Sequence, residues 1–404
     1  MKKSILCVLV LAVCGTVASQ TISYQSVVDD VLSHSPMYRL ILSQSDAEVA
    51  SVYSGSLVED PSLSAAYYWG SPAEIGKRWD LSVTRSFEFP TVYKHKSQYR
   101  DFQSSSVEGV TYVRLKDLVA RLQTICSDLV YQNALVVFFS ACEERMEQMA
   151  SMYGQRMRTG DCSILDYNRS QMELSSVSNR LNLAIADRDY LLDELQTFNG
   201  GMPVIFIQDT FDLSVSDPTG ACGGYVVRRM GGNADSVRYL GRLALLRHEY
   251  LRDSMQVVLA RDNWIPKFDV GYASENVVGE TFRGVTFGLS LPFWNNRREV
   301  ASARCRAQSS QLSLQAEIGN SLLQRVQLMK KADAQRRNIQ LLRAHFAEFD
   351  SQELLRKALD AGEISLESYL QQVDFYSDAW LQLLEAQHLL DLTILQLESL
   401  DVVR

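Results

Sequence analysis

Proline and glycine are scarce in this 404-residue chain, at 8 and 21, which excludes a disordered or loop-rich protein. A basic surplus is also missing, since 40 Lys and Arg face 48 Asp and Glu for a net charge of −8. A duplex nucleic acid needs a basic footprint, so no nucleic-acid partner is expected. The 7 cysteines and 5 histidines are widely scattered, with no zinc spacing and no stapled framework. Beyond the N-terminus no apolar run reaches the ~20 residues of a membrane helix, and no catalytic motif occurs. The sequence therefore predicts neither an enzyme nor a bound cofactor or metal. Met146, Met149, Met152 and Met157 spread too widely around a helix for a soft-metal site, and core filling is their plainer role.

What is present begins with an export signal. Lys2 and Lys3 precede an apolar run from Ile5 to Val13, then small residues Gly15, Thr16 and Ala18. This is a secretory signal peptide, assigned to 1–18. Leu11-Ala12-Val13-Cys14 resembles a lipobox but carries a bulky Val13 where that motif wants a small residue.

The rest of the chain is written twice. Gly160/Gly362, Ser163/Ser365, Tyr167/Tyr369 and Pro90/Pro292 recur at an offset of 202, and Pro61/Pro266 at 205. The first repeat is placed at 19–198 and the second at 234–404, with a Gly-rich linker at 199–233. Each repeat carries one hairpin, over 61–89 (strands 61–69 and 79–89) and 267–291 (strands 267–275 and 282–291, flanking Asn276 to Thr281). Alternation is clean: Trp79, Leu81, Val83 and Phe87 share a face opposite Asp80, Ser82, Thr84 and Ser86. Val285, Phe287 and Leu289 likewise oppose Gly284, Thr286, Gly288 and Ser290. Arg85 interrupts the apolar face, which calls for snorkelling or a bulge. Helices are expected over 36–57 and 235–262, and long ones over 93–158, 163–198, 297–360 and 365–402. Two of these exceed 60 residues, on the order of 100 Å each. Leu366, Tyr369, Val373, Tyr376, Trp380 and Leu383 begin a heptad seam that continues to Leu397.

Four strands cannot close a membrane barrel alone, and open strand edges are not tolerated in lipid. If these strands enter a membrane, several copies must share one barrel, with Ser82, Thr84, Thr286 and Gly288 facing its lumen and the apolar face contacting lipid. The two Gly-x-x-Ser turns come about 60 residues after a hairpin, which places both ~90–100 Å from the strands by helical rise. There Gly160 and Gly362 supply φ > 0, and Ser163 and Ser365 cap the following helices. Asp161, Asp166 and Glu363 would make a ring of such turns acidic, and Tyr167 and Tyr369 would pack it as a candidate gate.

These residues together resemble the outer membrane efflux proteins, the TolC-like family. The resemblance rests on Ser35-Pro36, Asp60-Pro61-Ser62-Leu63, Phe87-Glu88-Phe89-Pro90 with Lys94-His95-Lys96, and Trp264-Ile265-Pro266-Lys267-Phe268. Leu289-Ser290-Leu291-Pro292 with Arg297-Arg298 and the turn from Tyr153 through Gly160 and Ser163 to Asp166-Tyr167 complete it. It implies a mixed α and β membrane fold, internally duplicated. Long helices would form a periplasmic α-barrel, and four strands per chain a shared, trimeric, 12-stranded outer-membrane β-barrel. It implies a homotrimeric, passive channel of a tripartite efflux or type I secretion system. The implied partners are a periplasmic adaptor (membrane fusion) protein and an inner-membrane RND or ABC transporter. Two departures stand out: Asn233-Ala234-Asp235 where the second half usually carries a Pro, and Ser368 and Gln371 where some family channels place gating aspartates. A non-channel periplasmic coiled-coil scaffold is the competing reading. It explains the heptads and the signal but leaves both amphipathic hairpins without a purpose.

Overall fold

The computed structural model describes residues 24–55, 58–72, 74, 76–206, 241–291, 296–349 and 352–400. The signal segment, most of the linker and Pro292 lie outside them. The elements run α1 (Tyr24–His34), α2 (Pro36–Ser54), β1 (Ser62–Trp69), β2 (Lys77–Phe87), α3 (Pro90–Thr159) and α4 (Ile164–Phe198). They continue with α5 (Arg242–Asp262), β3 (Lys267–Val277), β4 (Glu280–Ser290), α6 (Asn296–Phe349), α7 (Gln352–Asp360) and α8 (Leu366–Ser399). The chain forms two compact units. A helical one takes the described residues of Met1–Tyr38, Asp117–Thr219 and Arg325–Leu400. A sheet-bearing one takes those of Arg39–Lys116 and Gly220–Gln324. Each unit thus draws stretches from both repeats.

In the sheet-bearing unit the two hairpins join into one antiparallel sheet of order β1-β2-β3-β4, because β2 pairs with β3 along its length. β3 and β4 are longer than the alternation alone suggests. They meet in a two-residue turn, Val278-Gly279, at φ 49 and 92, where a six-residue turn over Asn276–Thr281 is expected from sequence. Positive φ at both central residues matches the right-handed twist of the strands. Asn is the usual first residue there, so the β-branched Val278 hides the turn from a sequence reading. β2 ends at Phe87, and Pro90 opens α3 at the position where its missing N–H costs nothing. With 70 residues and no internal proline, α3 rises ~105 Å.

The helical unit is held by α3, α4 and α8, with α1 laid against them. Leu122, Ile125, Cys126 and Leu129 of α3 and Leu195 of α4 are fully buried, as are Val31 and Leu32 of α1. Helix α1 is absent from the sequence expectation. Ser35 caps α2 by accepting the Tyr38 amide, and Gly200 approaches the His34 carbonyl so closely that a Cβ would stand 3.2 Å from it. One 18-residue stretch of α3 is apolar enough to cross a membrane by length and composition, contrary to expectation. Nearly half of it is buried, which makes it packing surface. The heptad seam of α8 meets α6 through Ala332, Ile339, Ala386, Leu390, Ile394 and Leu397. The helix expected over 297–360 is described as α6 and α7, with 350 and 351 outside the described residues. Cys126 and Cys142 are packing groups, and burial pushes the Cys126 thiol up to about 12.

One carboxylate of the helical unit is buried. Glu398 of α8 is 4% exposed. Burial, then the charge of Asp391, raises its pKa. A carboxyl raised in the folded state costs nothing below its unfolded pKa, and costs progressively more as pH climbs through the folded one. Glu398→Gln should therefore raise stability by about 1–2 kcal/mol at neutral pH and leave it unchanged at mildly acidic pH. Denaturant melts at both pH values check this.

Candidate functional site

The sheet presents two chemically opposite faces, and along β2 the usual relation between chemistry and exposure is reversed. Cross-strand rows such as Leu63–Val83–Tyr272–Val285 and Phe87–Phe268–Leu289 form one face. All of these residues are exposed, Phe287 to 80% and Trp69 at the rim to 77%. The opposite face carries Ser62–Thr84–Gly271–Thr286, Ser64–Ser82–Ala273–Gly284 and Ser86–Asp269–Gly288. Asp80, Ser82, Thr84 and Ser86 on that face are half-buried. Ser82, Thr84, Thr286 and Gly288, singled out from sequence, therefore share one face. Water favours the reverse arrangement, with apolar groups covered and hydroxyls out. β1 and β4 each leave one edge unpaired among the described residues.

Arg85 lies on the apolar face without a bulge, because its row partner is Val270 and the register is unbroken on either side. It snorkels instead. Its Nε donates to the Glu59 carbonyl at 3.3 Å, and its guanidinium lies 5.6 Å from the Phe87 ring centre. Where the strands meet the helices, Lys267 pairs with Glu59 (2.6 Å) and Glu88 (3.2 Å), and Lys96 pairs with Glu88 (2.5 Å). His95 Nδ1 lies 2.6 Å from Asp262, tying α3 to α5. The basic residues that sequence grouped with the strand-to-helix junction thus clamp it.

The polar face is closely fitted at one glycine. A Cβ on Gly271 would lie 2.7 Å from Thr286 Oγ1 and 2.8 Å from the Val83 carbonyl, whereas one on Gly284 meets nothing within 4 Å. Gly271→Ala should destabilise the sheet by about 1–3 kcal/mol, and Gly284→Ala should be neutral. Heat-modifiable gel migration of the two variants reads the difference.

The two Gly-x-x-Ser turns are built alike. Gly160 has φ 80 and Gly362 φ 74. The Asp161 amide donates to the Arg156 carbonyl (2.8 Å) and the Gly160 amide to that of Met157 (3.2 Å). Glu363 and Gly362 repeat this to Ala358 and Leu359. Both are Schellman stops that only a left-handed residue allows. Ser163 Oγ then accepts the Leu165 amide, and Ser365 Oγ that of Ser368. Asp161 accepts from Thr159 Oγ1 at 2.7 Å, and Asp166 sits in the first turn of α4, complementing its dipole. Tyr167 packs on Gly154. Tyr369 is buried with Met146, Met149, Tyr153, Leu359, Leu366 and Leu370. Exposed Glu363 stays at its turn.

Two features here escape sequence reading. Arg169 and Glu367 pair at 3.1 Å, joining the second turn of α4 to the first turn of α8. Glu173 and Asp374 line one hollow with Arg180, and burial, then their mutual charge in the case of Glu173, raises both carboxyls. The second repeat thus carries two acids near its turn besides Glu363, at Glu367 and Asp374. They stand one residue before Ser368 and three after Gln371.

No family model matches the chain, and no curated protein does. Its fold nevertheless superposes on solved channels over nearly their whole length. CusC, described by its folding and transmembrane channel formation, matches with a TM-score of 0.74 at 12% identity, covering 93% of this chain and 90% of that one. The Campylobacter jejuni CmeC outer membrane channel gives 0.72 at 14% identity, over 93% and 84%. The Vibrio cholerae outer membrane protein VceC gives 0.71 at 12% identity, over 93% and 94%. Identity is low while the architecture agrees closely: this chain has the fold of these outer-membrane channels.

Proposed function

We propose that the chain is the outer-membrane channel of a tripartite efflux or type I secretion system, a passive trimeric conduit from periplasm to exterior. One observation carries the reading: an open four-stranded sheet whose apolar face is exposed, whose small polar face is half-buried along β2, and whose two edges have no partner among the described residues. Three copies supply twelve strands, enough to close a barrel with every edge paired, an apolar exterior and a hydroxyl-lined lumen. The fold shared with CusC, CmeC and VceC supports this assembly. The Gly-x-x-Ser turns, gathered from three copies, form a constriction held by packing around Tyr167 and Tyr369. They also dock a periplasmic adaptor, which joins the channel to an inner-membrane RND or ABC pump. A coiled-coil scaffold would leave the exposed apolar sheet face in water. The test is the oligomeric state in mild detergent together with conductance in a planar bilayer. A detergent-stable trimer that conducts is expected, and a monodisperse monomer with its strand content intact overturns the reading.

A further inference from the structure

Asp269 is a carboxylate on the polar sheet face, in the row Ser86–Asp269–Gly288, and its partners there are hydroxyls. Ser86 Oγ donates to Oδ1 and Ser290 Oγ to Oδ2. The other charges of this face lie in ion pairs or at the hairpin turn. Arg78 is held by Asp80 and Glu275, both at 3.0 Å. Lys267 is taken by Glu59 and Glu88, and Glu280 opens β4 at the turn. β1 contributes only Ser62, Ser64, Ala66 and Tyr68 to it. Space is reserved around the carboxylate: a Cβ on Gly288 would stand 3.1 Å from Asp269 Oδ2. A third serine would satisfy the same hydroxyls, so the charge itself is what the position adds.

We infer that Asp269 sets the charge preference of the barrel lumen, three copies making one ring of carboxylates that favours cations over anions. The inference rests on the channel reading above. Closing the sheet by three-fold symmetry puts the three side chains at one height, facing the same water. Such rings select by sign because a fixed charge unshared with a protein cation acts on whatever passes. The paired Arg78 cluster is nearly self-cancelling and contributes less.

The full-length protein would be reconstituted in planar bilayers under a KCl gradient, and the reversal potential read for wild type, Asp269→Asn and Asp269→Lys. Asp269→Asn keeps the shape and one acceptor, the hydroxyl facing Nδ2 turning to accept from it, and is expected to lower the K⁺/Cl⁻ permeability ratio by at least about twofold at low salt. Asp269→Lys is expected to invert the preference. Both effects should fade at 1 M salt, where the screening length falls to ~3 Å, a dependence that a merely structural role would not produce. Should Asp269→Asn fail to form trimers, Asp269→Ser removes the same charge with a smaller group and is read in its place. Conducting variants with an unchanged ratio overturn the assignment while leaving the channel reading intact. A wild-type protein that never conducts overturns both.

Discussion

Phe287→Lys is expected to cost about 2–4 kcal/mol per chain in the assembled barrel, and Thr286→Lys, its neighbour on the other face, far less. Phe287 is 80% exposed in the single chain, and in a water-soluble protein so exposed a side chain could be replaced almost freely. The large effect arises only if this face meets hydrocarbon, where a Lys near mid-depth must be desolvated or drag water inward. Its row partner is Val270, with Arg85 beyond it, so no acid stands beside it to neutralise the new cation. Thr286 shares a row with Gly271 and Thr84, and a Lys there reaches into lumen water. Urea titrations of folded barrels in vesicles, read by tryptophan fluorescence, compare the two. Equal sensitivity at both positions would remove the assignment of faces. Outward cysteine variants at Leu81, Val83 and Leu289 should label with a membrane-soluble reagent, and variants at Ser82 and Gly288 with a bulky water-soluble one.

Much of this was legible because the hydrophobic period and the chain's duplication are properties of sequence alone. Parity along β2 and β4 named both faces, since side chains of a strand must alternate. The glycine at each helix stop and the serine three residues on announced both turns, because few residues can take φ > 0 or cap a helix there. What stayed hidden depends on tertiary partners. The pairing of β2 with β3 joins residues some 190 apart, and no local signal encodes it. Helix α1 has its apolar residues at Val27, Val28, Val31 and Leu32, a helical spacing overlooked beside the export signal. The Val278-Gly279 turn defies the usual turn residues. The Arg169–Glu367 pair links the two repeats through side chains that only folding brings together. At the repeat offset of 202, Glu367 and Asp374 stand opposite Leu165 and Met172, so matching positions do not single them out.

Tyr369→Ala should be the most damaging change in the helical unit, at about 3–5 kcal/mol, the cost of emptying a buried aromatic site. Tyr369 fixes the first turn of α8 against Met146, Met149 and Tyr153 of α3 and Leu359 of α7, so its loss frees three helices at once. Burial also raises its phenol pKa, so the ring is neutral at any working pH and acts through packing. Tyr369→Phe keeps that packing and should cost less than ~1.5 kcal/mol. Asp166→Ala removes only a first-turn carboxylate and its dipole term, about 0.3–1 kcal/mol. If packing holds the constriction shut, Tyr369→Ala raises single-channel conductance and speeds amide exchange over 146–160 and 352–370, while Tyr369→Phe and Asp166→Ala do neither. The reverse order, with Asp166→Ala opening the channel and Tyr369→Ala leaving conductance unchanged, would assign closure to charge. Glu173 and Asp374 then become the groups to neutralise next, because burial already disfavours their ionised forms and their proximity couples the two repeats.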